Sequence, residues 1–234
     1  MFLDTMSPEA IIKEARRDTT AIQNKRDFFI NTHRREILFA KKFPVSYRIE
    51  WKSPLTYNKW HIIITCNNKK ERENPDVHYY STYETHCGTG IIFPVYNIKT
   101  EELVFSRYTG HFFSRYRTRH LIPNNLHTPG MDVIRYYVDH NSSYFYPKPD
   151  EEKRFTCCLT DGIALGISEN GLDTFRTFIS HDMLESFIPV SNTNAFSMLT
   201  STTNSRPPIK NTTFKEEWEE LQDRNPPQNY HLTT

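Results

Sequence analysis

Glycine is scarce in this chain of 234 residues, with seven in all, and neither G-x-x-x-x-G-K-[ST] nor G-x-G-x-x-G occurs. Without such loops no backbone cradle for a nucleotide is built in the Walker or Rossmann manner. H-E-x-x-H and G-x-S-x-G are also missing, which removes the zincin and α/β-hydrolase readings. No run comes near the roughly 18 apolar residues that span a bilayer. The opening MFLDTMSPEA has no basic stretch followed by an apolar one, so the expectation is a cytoplasmic protein with no membrane partner. The four cysteines, Cys66, Cys87, Cys157 and Cys158, form no C-x-x-C. Adjacent residues of a strand point to opposite faces, so Cys157 and Cys158 are poor partners and a reducing compartment fits. Charge of one sign is lacking too. The 29 Lys+Arg against 28 Asp+Glu leave a net charge of +1, and any nucleic-acid surface must come from local segregation.

Aromatic residues make up 14% of the chain, more than a disordered polymer carries, so a folded body is expected. The length suits one full domain with an appendage or two small domains. Ser7-Pro8-Glu9 supplies a capping hydroxyl, a proline for the first helical position and an acid for the first turn. Helical spacing then runs through Ile11, Ala15, Ile22, Phe29 and Ile37 to Pro44, with a possible break near Thr19-Thr20. Residues 8–42 hold nine Lys/Arg against five acids, a solvated amphipathic helix that packs on the core or an arm for RNA or a partner.

From Pro44 the period changes to two. Val45, Tyr47, Ile49 and Trp51 alternate with polar residues, Trp60–Ile64 follows, and further strands are expected at 77–83 and 91–97. His78, His86, Cys66 and Cys87 fall here, but adjacent His86-Cys87 and the irregular spacing match no structural zinc pattern. No metal or cofactor is expected. Leu103–Tyr108 reads as a strand, Thr109 as a cap and His111–His120 as a short helix; Thr128-Pro129 opens a second helix that closes near His140-Asn141. After a loop at 142–152 come strands at Phe155–Leu159, Ile163–Ile167 and Leu172–Ile179, joined at Asp161-Gly162 and Asn170-Gly171, two strong turn dipeptides. The fold class is therefore α+β: an N-terminal helix (1–43), an antiparallel extension (44–100) and a β-α-α-β-β-β unit with an antiparallel sheet (101–190). Residues 191–234 read as a linker, TSTTNSRPPIKNTT at 200–213, followed by an acidic tail.

Chemistry concentrates in one place. Between Leu103 and Met131 there is no Asp or Glu, whereas Arg107, Arg115, Arg117, Arg119, His111, His120 and His127 all fall there. On a wheel of roughly 100° per residue, His111, Arg115 and Arg119 lie at about 0°, 40° and 80°, beside the apolar face of Phe112, Tyr116 and Phe113. Guanidinium forks bind phosphate oxygens in pairs and imidazole moves protons near neutral pH, so this face suits a phosphodiester. Like charges one turn apart cost roughly 0.2–0.5 kcal/mol with no structural return. A second polar set, Arg176, Thr177 and Ser180-His181-Asp182, closes the last strand. Each of these residues also has a plain structural reading, as a surface cation or a helix-start residue.

The segment Tyr108-Thr109-Gly110-His111-Phe112-Phe113-Ser114-Arg115-Tyr116-Arg117-Thr118-Arg119, a strand end followed by H-x-x-x-R-x-x-x-R, a second helix and three strands, resembles the RelE/ParE-like (BECR-fold) superfamily of small ribonuclease toxins. The resemblance covers about residues 103–185. It implies a metal-independent endoribonuclease in which the RNA 2′-hydroxyl attacks the adjacent phosphate. It assigns His111 and His181 as proton-transfer groups and Arg115, Arg119 and Arg176 as catalytic phosphate binders. Arg107, Arg117 and Thr177 would bind substrate, and Tyr108 would stack or orient it. RNA is the expected partner, with an antitoxin or another protein as a second. The chain departs from that pattern in its greater size and in the insertion Ile122–Thr128. The alternative is a non-catalytic module that binds nucleic acid or protein, such as an accessory protein of a mobile element. The acidic segment 214–223, with five acids and apolar groups at Phe214, Trp218 and Leu221, offers a mimic of RNA that lies over the Arg/His face.

Overall fold

The computed structural model describes residues 1–97, 102–141, 143–146 and 154–183. The linker and the acidic segment 214–223 lie outside the described residues.

The N-terminal stripe folds as its spacing predicts, though as three helices: α1 (Pro8–Asn24), α2 (Arg26–Thr32) and α3 (Arg34–Phe39). Ser7 caps α1 by accepting from the Ala10 amide at 3.3 Å. The breaks fall at Lys25 and His33, not at Thr19-Thr20. Both threonine hydroxyls donate back to the Arg16 carbonyl, which keeps them within the helix. Ile11, Ala15, Ile22, Phe29 and Ile37 are all buried.

Nine strands form one sheet: β1 (Val45–Lys52), β2 (Lys59–Cys66), β3 (Asp76–Thr85), β4 (Gly88–Asn97), β5 (Glu102–Tyr108), β6 (Ser143–Tyr146), β7 (Arg154–Leu159), β8 (Gly162–Glu169) and β9 (Leu172–Ser180). Their order is β1-β2-β3-β4-β5-β9-β8-β7-β6. The class is α+β and the sheet is mostly antiparallel. Two expectations are corrected. Part of the expected loop at 142–152 is a strand, β6, which pairs with β7. The sheet is also mixed, because β9 returns beside β5 in parallel, with Tyr108 opposite Phe175. Two antiparallel meanders thus meet at one parallel seam. The Asn170-Gly171 turn has the positive φ angles, 49° and 81°, that such hairpins need.

Both faces are covered. α1–α3 bury one face with Trp60, Ile62, Ile64, Ile92, Phe105 and Leu172. α4 (Gly110–Tyr116) and α5 (Val133–His140) bury the other with Ile63, Ile91, Tyr108, Phe175 and Phe178. The run Ile62-Ile63-Ile64 is apolar throughout for that reason.

Under α1 lies a sealed polar centre. Asp18 is 1% exposed. Its carboxylate accepts from Ser53 Oγ at 2.6 Å, Thr56 Oγ1 at 2.7 Å, Asn58 Nδ2 at 2.7 Å and Trp60 Nε1 at 2.9 Å. Four neutral donors replace its water and pin the β1–β2 turn to the helix.

Candidate functional site

The acid-free segment begins where β5 ends. Thr109 caps α4, its Oγ1 accepting from the Phe112 amide at 3.2 Å, while its own N–H donates to the Phe175 carbonyl at 3.1 Å. The start of α4 is thereby docked on β9. A side chain at Gly110 would strike the Gly88 carbonyl of the β3–β4 hairpin at 2.6 Å, so only glycine lets the helix approach so closely. After Tyr116 the backbone widens into a π-helical turn over Arg117–Leu121, with the Ile122 amide bonded to the Arg117 carbonyl. The expected helix His111–His120 is therefore two kinds of helix, and the 100° spacing fails beyond Arg117. The second helix is capped by Asp132 rather than opened at Thr128-Pro129.

The π turn brings a polar constellation together against the β7–β8 turn. Tyr116, fully buried, donates its hydroxyl to Asp161 Oδ2 at 2.5 Å. Asn141, at the end of α5, donates Nδ2 to the same oxygen at 2.8 Å, lies 3.1 Å from the Tyr116 hydroxyl, and accepts from the Asp161 amide at 3.3 Å. His120 stacks on Tyr116, with 5.4 Å between rings, and places Nε2 3.5 Å from Asp161 Oδ2. His120 and Asp161 each keep 15% of their side-chain surface exposed. Burial, reinforced by the Asp161 charge, pushes the Tyr116 phenol far above its ordinary value, so it stays a donor. One residue earlier on the same turn, the Thr160 carbonyl lies 3.1 Å from His181 Nε2. Arg119 donates from Nη1 to the Phe178 carbonyl of β9 at 2.6 Å. Burial and then the charge of Arg115 lower the Arg119 pKa. Gly162 closes the turn, and a Cβ there would lie 2.2 Å from the Ile179 carbonyl.

The expected site residues divide. Arg119 and His181 belong to this constellation. His111 is exposed and accepts from Arg115 Nε at 3.2 Å, which forms a second pair near the start of α4. Arg117 is exposed on the π turn. Arg176 sits in a β-bulge: Phe175 pairs with Gly166 and Thr177 with Leu165, which leaves Arg176 as the extra residue. Phe175 and Phe178, three residues apart, consequently both enter the core beneath α4, which corrects the simple alternation expected for this strand. Counting back from Phe178 by twos puts Arg176 on the α4 face and the half-buried Thr177 on the opposite one.

Two expected site residues lie apart from the others. Tyr108 is 4% exposed and stacks on Phe175 at 4.5 Å in the core, so it presents no ring to a substrate. Arg107 follows Phe105 in phase and lies on the α1 side of the sheet, opposite Ile92 and Thr174. Its neighbours are therefore not those of the His/Arg row. The residues missed by sequence reasoning are Tyr116, Asn141 and Asp161, which read as core, helix end and turn. His120 was visible only as one of several cations.

Among the described residues no group of three or more His, Cys, Asp and Glu is placed to hold a metal ion. His78 pairs with Asp76 at 2.9 Å, His86 with Asp4 at 3.4 Å, and Cys66 is buried. No described helix is long and apolar enough to cross a membrane. Comparisons with family models, with curated proteins and with solved structures return no match for this chain.

Proposed function

We propose that the protein is an endoribonuclease that cleaves RNA by attack of the 2′-hydroxyl, with its reaction centre at the π turn. The observation that carries this reading is the anchoring of two imidazoles, His120 and His181, on consecutive residues of one turn, Asp161 and Thr160, beside the Arg119 guanidinium. A phosphodiester is cleaved without a bound cofactor when one group takes the 2′-hydroxyl proton, another protonates the departing 5′-oxygen, and a fixed cation balances the pentavalent phosphate. With Nε2 committed to a carbonyl, His181 presents Nδ1 as the base. His120, held by Asp161 and stacked on Tyr116, serves as the acid, and the carboxylate balances its charge when protonated. The P–O2′ bond forms, the P–O5′ bond breaks, and the products carry 2′,3′-cyclic phosphate and 5′-hydroxyl ends. Tyr116 and Asn141 position Asp161. The resemblance of residues 103–185 to RelE/ParE-like toxins supports the same reaction class. An antitoxin-like partner belongs to that same proposal.

The test is incubation of the protein with single-stranded and structured RNA in EDTA, followed by end-group analysis. Cleavage that leaves cyclic phosphate ends, and is abolished when the RNA is 2′-O-methylated, supports the proposal. Salt-sensitive RNA binding without cleavage would assign the chain to the non-catalytic binding modules instead.

A further inference from the structure

The sheet has two outer strands, β1 and β6, and they are unlike. β6 has four residues. β1 has eight, without a proline, and pairs with β2 in unbroken register from Val45 to Lys52. Among the described residues no strand lies on its outer side. The β1–β2 turn fixes which groups face that side. Ser53 N–H donates to the Asn58 carbonyl at 2.9 Å. By alternation Trp51, Ile49 and Tyr47 exchange hydrogen bonds with β2, and Ser46, Arg48, Glu50 and Lys52 direct N–H and C=O outward. Proteins blunt such an edge by shortness, proline, a bulge or charge. β1 has only charge, and along Arg48, Glu50 and Lys52 that charge alternates in sign.

An antiparallel copy of β1 fits this edge. With a two-fold axis through Ile49, perpendicular to the sheet, each residue meets the one equally far beyond Ile49 on the other chain. Arg48 then faces Glu50 twice, Tyr47 faces Trp51 twice, Ser46 faces Lys52 twice, and Ile49 faces its own copy. Moving the axis by one residue, to Arg48 or to Glu50, sets like charges against each other. Each chain already holds the two charges: Arg48 is paired with Asp139 of α5, and Glu50 lies 2.9 Å from Lys59 of β2. Every cross-pair thus extends into a row of alternating sign, Asp139 and Arg48 from one chain, Glu50 and Lys59 from the other. On the α1–α3 face Tyr47, Ile49 and Trp51 are only half-buried, since no strand follows β1. Tyr47 stacks on His33 at 4.4 Å and Trp51 meets Phe29 edge-on at 6.3 Å. Beside Phe29, Phe28 leaves a further ring 68% exposed. This register makes about eight backbone hydrogen bonds, close to the roughly ten of a typical interface.

We infer that β1 is the interface of a symmetric dimer, in which two copies of this chain join their sheets through antiparallel β1 strands centred on Ile49. The partner is a second copy because the edge complements itself, arginine to glutamate and tyrosine to tryptophan. The two-fold keeps the α1–α3 helices of both copies on one side of the joined sheet. The β7–β8 turn lies toward the other end of the strand order, so the dimer does not depend on the proposed reaction.

Sedimentation equilibrium of the full chain from about 1 to 200 μM tests it. The mass should rise with concentration to that of two chains and stop there. A single chain at every concentration overturns the dimer, as does growth beyond two, which a head-to-tail contact of β1 with β6 would give. Glu50→Arg sets arginine against arginine at both cross-pairs, and Arg48→Glu sets glutamate against glutamate; each should weaken association at least about tenfold. An equimolar mixture of the two variants sets each arginine against a glutamate and should restore the dimer, which a shifted register does not do. Glu102→Arg, on the central strand β5, should leave association unchanged. Hydrogen exchange reads the same interface without substitution: the Arg48 and Glu50 amides should be protected in the dimer and released on dilution. A dimer indifferent to both charge changes, or one without that protection, overturns the β1 interface. Protection that persists in the dilute single chain means that the chain fills its own edge, and overturns it as well.

Discussion

Asp18, buried, and Asp161, partly exposed, are both carboxylates that accept from several protein donors, and they differ in what surrounds them. Asp18 is sealed under α1, with four neutral donors and no titratable partner among its hydrogen bonds. Asp161 sits at a rim, 15% exposed, with a phenol, an amide and an imidazole on one oxygen. The first arrangement fixes a turn to a helix; the second gathers a phenol, an amide and an imidazole at a partly solvent-exposed turn. A buried carboxylate by itself therefore says little about function, and the identity and exposure of its partners say much more.

The largest effect that separates the two centres is on stability. Asp18→Ala strands four buried donors and should cost about 3–5 kcal/mol, read as a shift of the urea midpoint at constant m-value. Asp161→Ala strands one buried hydroxyl, that of Tyr116, while Asn141 and His120 keep partial access to water, and should cost about 1–2 kcal/mol. Equal shifts would erase the distinction. Next comes the backbone that places Asp161. Gly162→Ala forces a Cβ against the Ile179 carbonyl and should cost about 2–3 kcal/mol. Gly130→Ala, at φ 79° with nothing near its Cβ, carries only the conformational cost of about 1–2 kcal/mol; a Gly162 variant no worse than the Gly130 one would show that the turn is not tight. Tyr116→Phe removes a single hydroxyl from Asp161. A loss of about 1 kcal/mol is expected, with cleavage about tenfold slower and 2′-O-methyl strand binding unchanged; weakened binding would give Tyr116 a different role.

Much of the fold was legible because local rules act alone there. The stripe Ile11–Ile37, the alternating strand from Val45 to Trp51 and the Asp161-Gly162 and Asn170-Gly171 turns each depend on neighbouring residues only. The parallel seam was not, since nothing local ties Tyr108 to Phe175 across more than sixty positions. The bulge at Arg176 and the π turn each shift the phase by one residue, and phase is what pattern reading assumes constant. The candidate site was half legible. The missing acids drew attention to Arg119 and its neighbours, but Tyr116, Asn141 and Asp161 converge only in three dimensions. Arg107 and Tyr108 carried a warning: consecutive residues of a strand face opposite ways, so both cannot line one site.

The smallest effect is electrostatic and lies far from both centres. The hydrogen bond between Asp76 and His78 holds the Asp76 carboxyl below its ordinary value near 3.8 and His78 above its ordinary value near 6.5. A lowered carboxyl stabilises above its unfolded value, and that contribution is lost as pH falls through the folded one. A raised imidazole stabilises below its unfolded value, and that contribution is lost as pH rises through the folded one. The pair therefore contributes most between about pH 4 and 6.5, and both side chains are more than half exposed, so the gain stays under about 1 kcal/mol. Stability profiles of the protein and its His78→Gln variant should converge above and below that window; a constant offset at all pH values would show a packing effect.

The most direct test of the central claim compares three histidines in single-turnover cleavage of one RNA. His120→Ala and His181→Ala should each slow cleavage by about a hundredfold or more, while His111→Ala, one helix length away, should leave the rate on saturating enzyme within a few fold. A loss of rate confined to His111→Ala, with His120→Ala and His181→Ala as active as the unaltered protein, would contradict a reaction centre at the π turn.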